Sequence, residues 1–189
     1  MASINNECNV LCSGPSRKSY IQNDLPSIGC NFPWTKVDYT IIFDFPAIDK
    51  LCENPLLIDD SVKLVIHQRV YGHLKHTNKL DILKSKIDSI FNYPIGNTAE
   101  FFRSSGHYAA LYMISMGFTK LNIYGCDNYF GDDRCVDNYT HQIGFPHYIE
   151  NTNLINFGEE RLIKRGVSWR DEWHKMIKQH PNIHFNFIP

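Results

Sequence analysis

Short apolar runs recur along the chain, each closed by a polar or glycine-containing turn. Asn9-Val10-Leu11-Cys12, Ser27-Ile28-Gly29-Cys30, Asp38-Tyr39-Thr40-Ile41-Ile42-Phe43 and Val62-Lys63-Leu64-Val65-Ile66 read as strands. They have the length and the β-branched content of buried strands. Ser89 to Phe91, Leu121 to Tyr124 and Ile183 to Ile188 extend the series. After Ser105 the period changes: Tyr108, Leu111, Tyr112 and Ser115 recur at helical spacing, and Gly117 supplies a stop. A further helix is predicted over Glu159 to Gln179, where Trp169 and Trp173 share one face and are expected to pack against the sheet. Strands alternating with helices predict an α/β fold, a Rossmann-like, parallel-rich sheet with helices on both faces. No repeat or linker divides the chain, so a single domain over residues 1–189 is expected.

One stretch breaks the rhythm. Asn128 to Asn156 is rich in Asp, Asn, Tyr and His, and Gly131, Gly144 and Pro146 interrupt any helix. A polar segment this long inside a compact domain usually carries function. It comes after a predicted central strand, so a lid-like insertion over about 128–156 is expected to close on a ligand crevice.

Composition removes several classes. Hydrophobic residues make up 43% and aromatics 13%, which argues against extensive disorder. A net charge of -1 lacks the basic excess typical of nucleic-acid binders. The six cysteines, at 8, 12, 30, 52, 126 and 135, show no Cys-x-x-Cys pair, so reduced thiols in a cytoplasmic protein are expected. No apolar stretch approaches a membrane span and no signal-peptide pattern opens the chain.

Two motifs about ninety residues apart carry the candidate chemistry: Cys12-Ser13-Gly14-Pro15-Ser16, and Ser104-Ser105-Gly106 with the later Gly125-Cys126-Asp127. Each sets a small, polar turn beside a strand or helix, where an α/β sheet offers backbone N–H groups to a phosphate. Gly14 is expected to permit close backbone approach, Pro15 to stiffen the turn, and Ser16 to cap the next helix. Asn31 combines donor and acceptor atoms suited to a base or ribose. Ser104 or Ser105 reads as an N-cap that also lies where a ligand would sit, and Asp127 reads chiefly as a loop support accepting N–H bonds.

These motifs resemble those of the small bacterial sialyltransferases. Ser13-Gly14-Pro15-Ser16 is similar to that family's Asn-Gly-Pro-Ser turn, and Cys30-Asn31 to its Cys-Asn after the second strand. Arg103-Ser104-Ser105-Gly106 is similar to its Arg-containing Thr-Ser-Gly segment, Gly125-Cys126-Asp127-Asn128-Tyr129 to Gly-Ile-Asp-Phe-Tyr, and Pro146-His147-Tyr148-Ile149 to a His-Tyr-Ile segment of the lid. The order spans the chain from about residue 9 onward. Ser13 departs from the family's Asn, and Asp44 stands where an Asn usually comes after strand three.

The resemblance implies a metal-independent glycosyltransferase-like enzyme that moves a sugar, of the sialic-acid type, from a cytidine-monophosphate sugar to a hydroxyl of a glycan acceptor. It implies His147 as general base, with His141 the nearby rival, Arg103 as a partner for phosphate or acidic sugar, and Tyr129 and Tyr139 as donors to the leaving phosphate. Nucleotide contacts would come from Ser13, Gly14, Pro15, Ser16, Asn31, Asp44, Ser104, Ser105, Gly106 and Asp127. No cofactor or metal is expected, and the oligomeric state stays open. Two other readings stand beside it. Archaeal pterin diphosphokinases look similar around a Gly-Pro-Ser turn, and that Mg²⁺-dependent chemistry would use Asp44, Asp132 and Asp133. The third is a nucleotide- or sugar-binding protein without catalysis.

Overall fold

The computed structural model describes residues 6–93, 103–130 and 159–189, the side chains of Pro15 and of 159–167 aside. Seven strands form one all-parallel sheet: β1 (Glu7–Leu11), β2 (Ser27–Cys30), β3 (Tyr39–Ile42), β4 (Lys63–His67), β5 (Ile87–Phe91), β6 (Lys120–Tyr124) and β7 (His184–Ile188). Every predicted strand is present, its ends shifted by two residues at most. The spatial order is β5-β4-β3-β2-β1-β6-β7. The chain therefore builds outward from β1 to β5, then crosses back to place β6 on the other side of β1. That reversal makes the carboxyl ends of β1 and β6 the topological switch point, the usual ligand position in such sheets.

Helices cover both faces. On one, Val10, Ile28, Ile41, Val65 and Ile123 pack with α4 (Ser105–Ser115) and with Trp173 and Met176 of α5 (Glu159–Gln179). Both helices lie where the sequence predicts them, and Gly117 adopts a φ of 96° just beyond the end of α4, a conformation glycine alone reaches without strain. On the other face Leu11, Ile42, Leu64 and Ile66 meet α1 (Phe45–Glu53) and α2 (Gln68–His76), with the short α3 (Leu80–Leu83) after them.

The pattern of apolar positions did not single out these last three helices. They bury few residues each: Ala47, Ile48, Leu51 and Cys52 in α1, and only Val70 and Leu74 in α2. His73 of α2 meets Asp49 of α1 at 3.0 Å, where Lys79 also pairs. None of the described helices is long and apolar enough to cross a membrane.

Where the second apolar layer ends, β1, β6 and β7 carry amides in register at Asn9, Asn122 and Asn186. Asn186 Nδ2 donates to Asn122 Oδ1 at 2.9 Å, Asn122 Nδ2 to Glu7 Oε1 at 2.8 Å, and Asn9 Nδ2 to Asn23 Oδ1 at 2.8 Å. The row satisfies polar groups that a buried sheet face would otherwise strand.

Candidate functional site at the carboxyl edge of the sheet

Three residues singled out in the sequence converge at the carboxyl edge. Asn31 leaves β2, Asp44 leaves β3, and Ser105 opens α4. The Ser105 hydroxyl lies 3.5 Å from Asn31 Oδ1 and 3.4 Å from Asp44 Oδ2. Its one proton serves only one acceptor at a time, and both contacts are long, so the hydroxyl is loosely held and readily re-aimed toward a ligand. Residue positions 31, 44 and 105 share no sequence neighbourhood. The parallel sheet and the α4 crossover bring them together.

The backbone fixes two of the three. Asn31 has a φ of 56°, in the left-handed region that asparagine tolerates better than most residues. Its N–H donates to the Ile41 carbonyl at 2.9 Å, and the Thr40 hydroxyl donates to the Asn31 carbonyl at 2.7 Å. A residue held so firmly in a sparsely populated conformation points to a positional requirement. Asp44 occupies the N-cap position of α1 yet makes no side-chain cap hydrogen bond there. Its carboxylate is turned toward Ser105 instead, forgoing the cap that aspartate normally supplies.

The β1 turn is arranged differently from the phosphate cradle expected of it. A Cβ on Gly14 would sit 1.9 Å from Asp127 Oδ2 and 2.5 Å from the Gly125 carbonyl oxygen. The close approach that Gly14 permits is therefore to the β6 turn of the same chain. Gly14 N–H donates to the Gly125 carbonyl at 2.8 Å, and Ser16 N–H donates to Asp127 Oδ1 at 3.1 Å. Asp127 thus has the loop-supporting role read for it, and an amide that would have faced phosphate is already occupied. Ser16 does not cap the turn with its side chain; its hydroxyl accepts the Gly125 N–H at 3.2 Å. Pro15 opens the 3-10 turn Pro15–Ser19, and Ser13 stands half-buried before it.

The start of α4 is anchored from below. Ser104 is the N-cap, and its N–H donates to His107 Nδ1 at 3.0 Å, a histidine version of the capping box. With Nδ1 accepting, Nε2 carries the proton and donates to the Trp169 carbonyl of α5 at 3.0 Å. The ring stacks on Trp173 at 4.2 Å. Complete burial holds the His107 pKa down to about 3, so it is neutral. Sequence reasoning passed over His107; its place three residues after a serine cap was the available signal. Gly106 is equally constrained, since a Cβ there would meet Cys12 Sγ at 2.7 Å.

Two expected ligand contacts have other partners. Arg103 pairs with Glu172 of α5, Nε to Oε2 at 3.4 Å, with both side chains 6% exposed. The guanidinium expected to meet phosphate or an acidic sugar thus ties the α4 start to α5. Tyr129 stacks on Phe187 of β7 at 3.7 Å, so its ring packs against the sheet. His147, His141, Tyr139, Asp132, Asp133 and the lid beyond residue 130 lie outside the described residues.

Three thiols stand at the carboxyl edge of the sheet. Cys12, Cys30 and Cys126 are buried at the ends of β1, β2 and β6, with Cys12 hydrogen-bonded to both of the others. Its bond to Cys12 and its burial hold Cys30 well above the ordinary thiol range. All five cysteines among the described residues are free thiols. Among those residues no group of three or more His, Cys, Asp or Glu side chains is placed to hold a metal ion. The chain matches no protein-family model, no curated protein and no solved structure.

Proposed function

We propose that the chain is a glycosyltransferase-like enzyme that takes a sugar from a nucleotide-sugar donor, with the nucleoside held at the carboxyl edge. The observation that carries this reading is the meeting of Asn31, Asp44 and Ser105 beside the N-terminus of α4. An amide, a carboxylate and a loosely held hydroxyl recognise a base edge and ribose hydroxyls. In the transfer the acceptor oxygen bonds to the anomeric carbon as the bond to the donor phosphate breaks. The acceptor proton passes to a base, for which we assign His147, and the nucleotide leaves. A cytidine-monophosphate sugar is the donor we favour, on the resemblance of the motifs to those of the bacterial sialyltransferases.

The Asp44 carboxylate favours one second reading. An acid at this edge also suits Mg²⁺-ATP chemistry of the diphosphokinase type. A thermal-shift panel of CMP, CDP, UDP, GDP and ATP, with and without Mg²⁺, separates them, because ligands of the native state raise the melting temperature. Stabilisation by CMP without metal is the expected result. A response to ATP only with Mg²⁺ would replace the transferase reading with the kinase, and silence across the panel would reject both.

A further inference from the structure

We propose that Arg17 is an anion-recognition residue of this crevice, its guanidinium steadied by Trp34 and offered to the phosphate of a bound nucleotide. The proposal rests on the nucleotide reading of the site and adds to it a residue outside every motif singled out in the sequence.

Arg17 belongs to the 3-10 turn after β1, and its Cβ lies 3.1 Å from where a Cβ on Gly125 would stand, Gly125 itself having a φ of 69°. The side chain therefore starts directly over the end of β6, at the switch point. Its guanidinium carbon lies 5.6 Å from the centroid of the Trp34 ring, a cation–π distance. Trp34 comes after β2 and is 37% exposed, with Tyr20 against its edge at 6.1 Å. Thr35 donates to Gln22 at 3.3 Å and ties the same two loops together.

Among the described residues the Arg17 guanidinium has no acidic partner and donates no hydrogen bond. The Asp127 carboxylate accepts from the Ser16 N–H. Burial pushes the Arg17 pKa down, so its position costs free energy. A half-buried guanidinium with open donors and an aromatic backing is matched to a planar, bidentate oxyanion. Strands of a sheet lie about 4.8 Å apart, so the end of β2, which carries Asn31, and the end of β6, over which Arg17 starts, are separated by roughly 10 Å. A nucleoside held at Asp44 and Asn31 spans that gap and delivers its phosphate toward Arg17.

Calorimetric titration of the full chain with CMP, cytidine and inorganic pyrophosphate tests the assignment, using wild type, R17Q and R17K. R17Q is expected to weaken CMP about tenfold or more while leaving cytidine within about twofold, with R17K recovering part of the loss. Equal losses for cytidine and CMP, or none for either, would overturn the proposal. If wild type ignores both cytidine and CMP, the nucleotide reading fails, and pyrophosphate then decides Arg17 alone. Binding that R17Q abolishes keeps the anion site; an unresponsive wild type removes it.

Discussion

At the scale of the residue, the informative choice is an aspartate that declines its ordinary work. Asp44 sits at an N-cap without capping and faces Ser105 at 3.4 Å instead. A carboxylate repels phosphate but accepts strongly from hydroxyls, so its partner in the site is expected to be a ribose. Replacing Asp44 by Asn should weaken cytidine about tenfold, the usual scale for a hydrogen bond to a charged group. The 2′,3′-dideoxy nucleoside, lacking the hydroxyls, should bind both forms alike; a D44N loss identical for the two nucleosides would place the ribose elsewhere. Asn31, Asp44 and Ser105 were each legible as candidates, because polar residues at strand and helix ends are chemically conspicuous. Their partners were not. Gly14 read as a phosphate-facing glycine, whereas the space it spares is filled by Asp127, 113 positions away in sequence and visible only in the fold.

At the scale of the element, periodicity was the legible part. The strands and the two long helices announced themselves through runs of Val, Ile and aromatic residues or through helical spacing. α1 and α2 stayed silent because one short buried stripe each is too little pattern. Packing also reverses an ordinary helix rule. Gly72, exposed in α2, has nothing within 4 Å of where a Cβ would lie, so Gly72→Ala should stabilise by roughly 0.5–1 kcal/mol. Gly106, in the first turn of α4, would put that Cβ 2.7 Å from Cys12 Sγ, a short side chain with little freedom to yield. Gly106→Ala should therefore destabilise by about 1–3 kcal/mol despite its better propensity. Denaturant titrations of both variants read the two signs, and Cys12→Ala should partly relieve Gly106→Ala. A stabilising Gly106→Ala would mean that α4 can lift off β1 without cost.

At the scale of the whole molecule, α4 is held to α5 through a neutral imidazole, and acid stability should report it. The sequence shows nine histidines without saying which is buried; the α4–α5 contact that buries His107 is a product of the crossover topology. In the fold its pKa is about 3 against an ordinary value of 6.5. Between those values the unfolded chain takes up the proton and the native chain does not. The stabilisation is thus complete above pH 6.5 and is lost as pH falls toward 3. Between pH 6.5 and 5 the loss should be about 2 kcal/mol, at 1.36 kcal/mol per unit. His67, also depressed by burial, adds in the same direction. Its Nε2 donates to the Tyr93 carbonyl at 3.1 Å. Urea unfolding at a series of pH values measures the slope. His107→Gln should be less stable than wild type at pH 7, yet its stability should fall less steeply from pH 6.5 to 5. A wild-type stability that is flat across that window would show that His107 is not held neutral, and the anchoring of α4 on α5 would need another account.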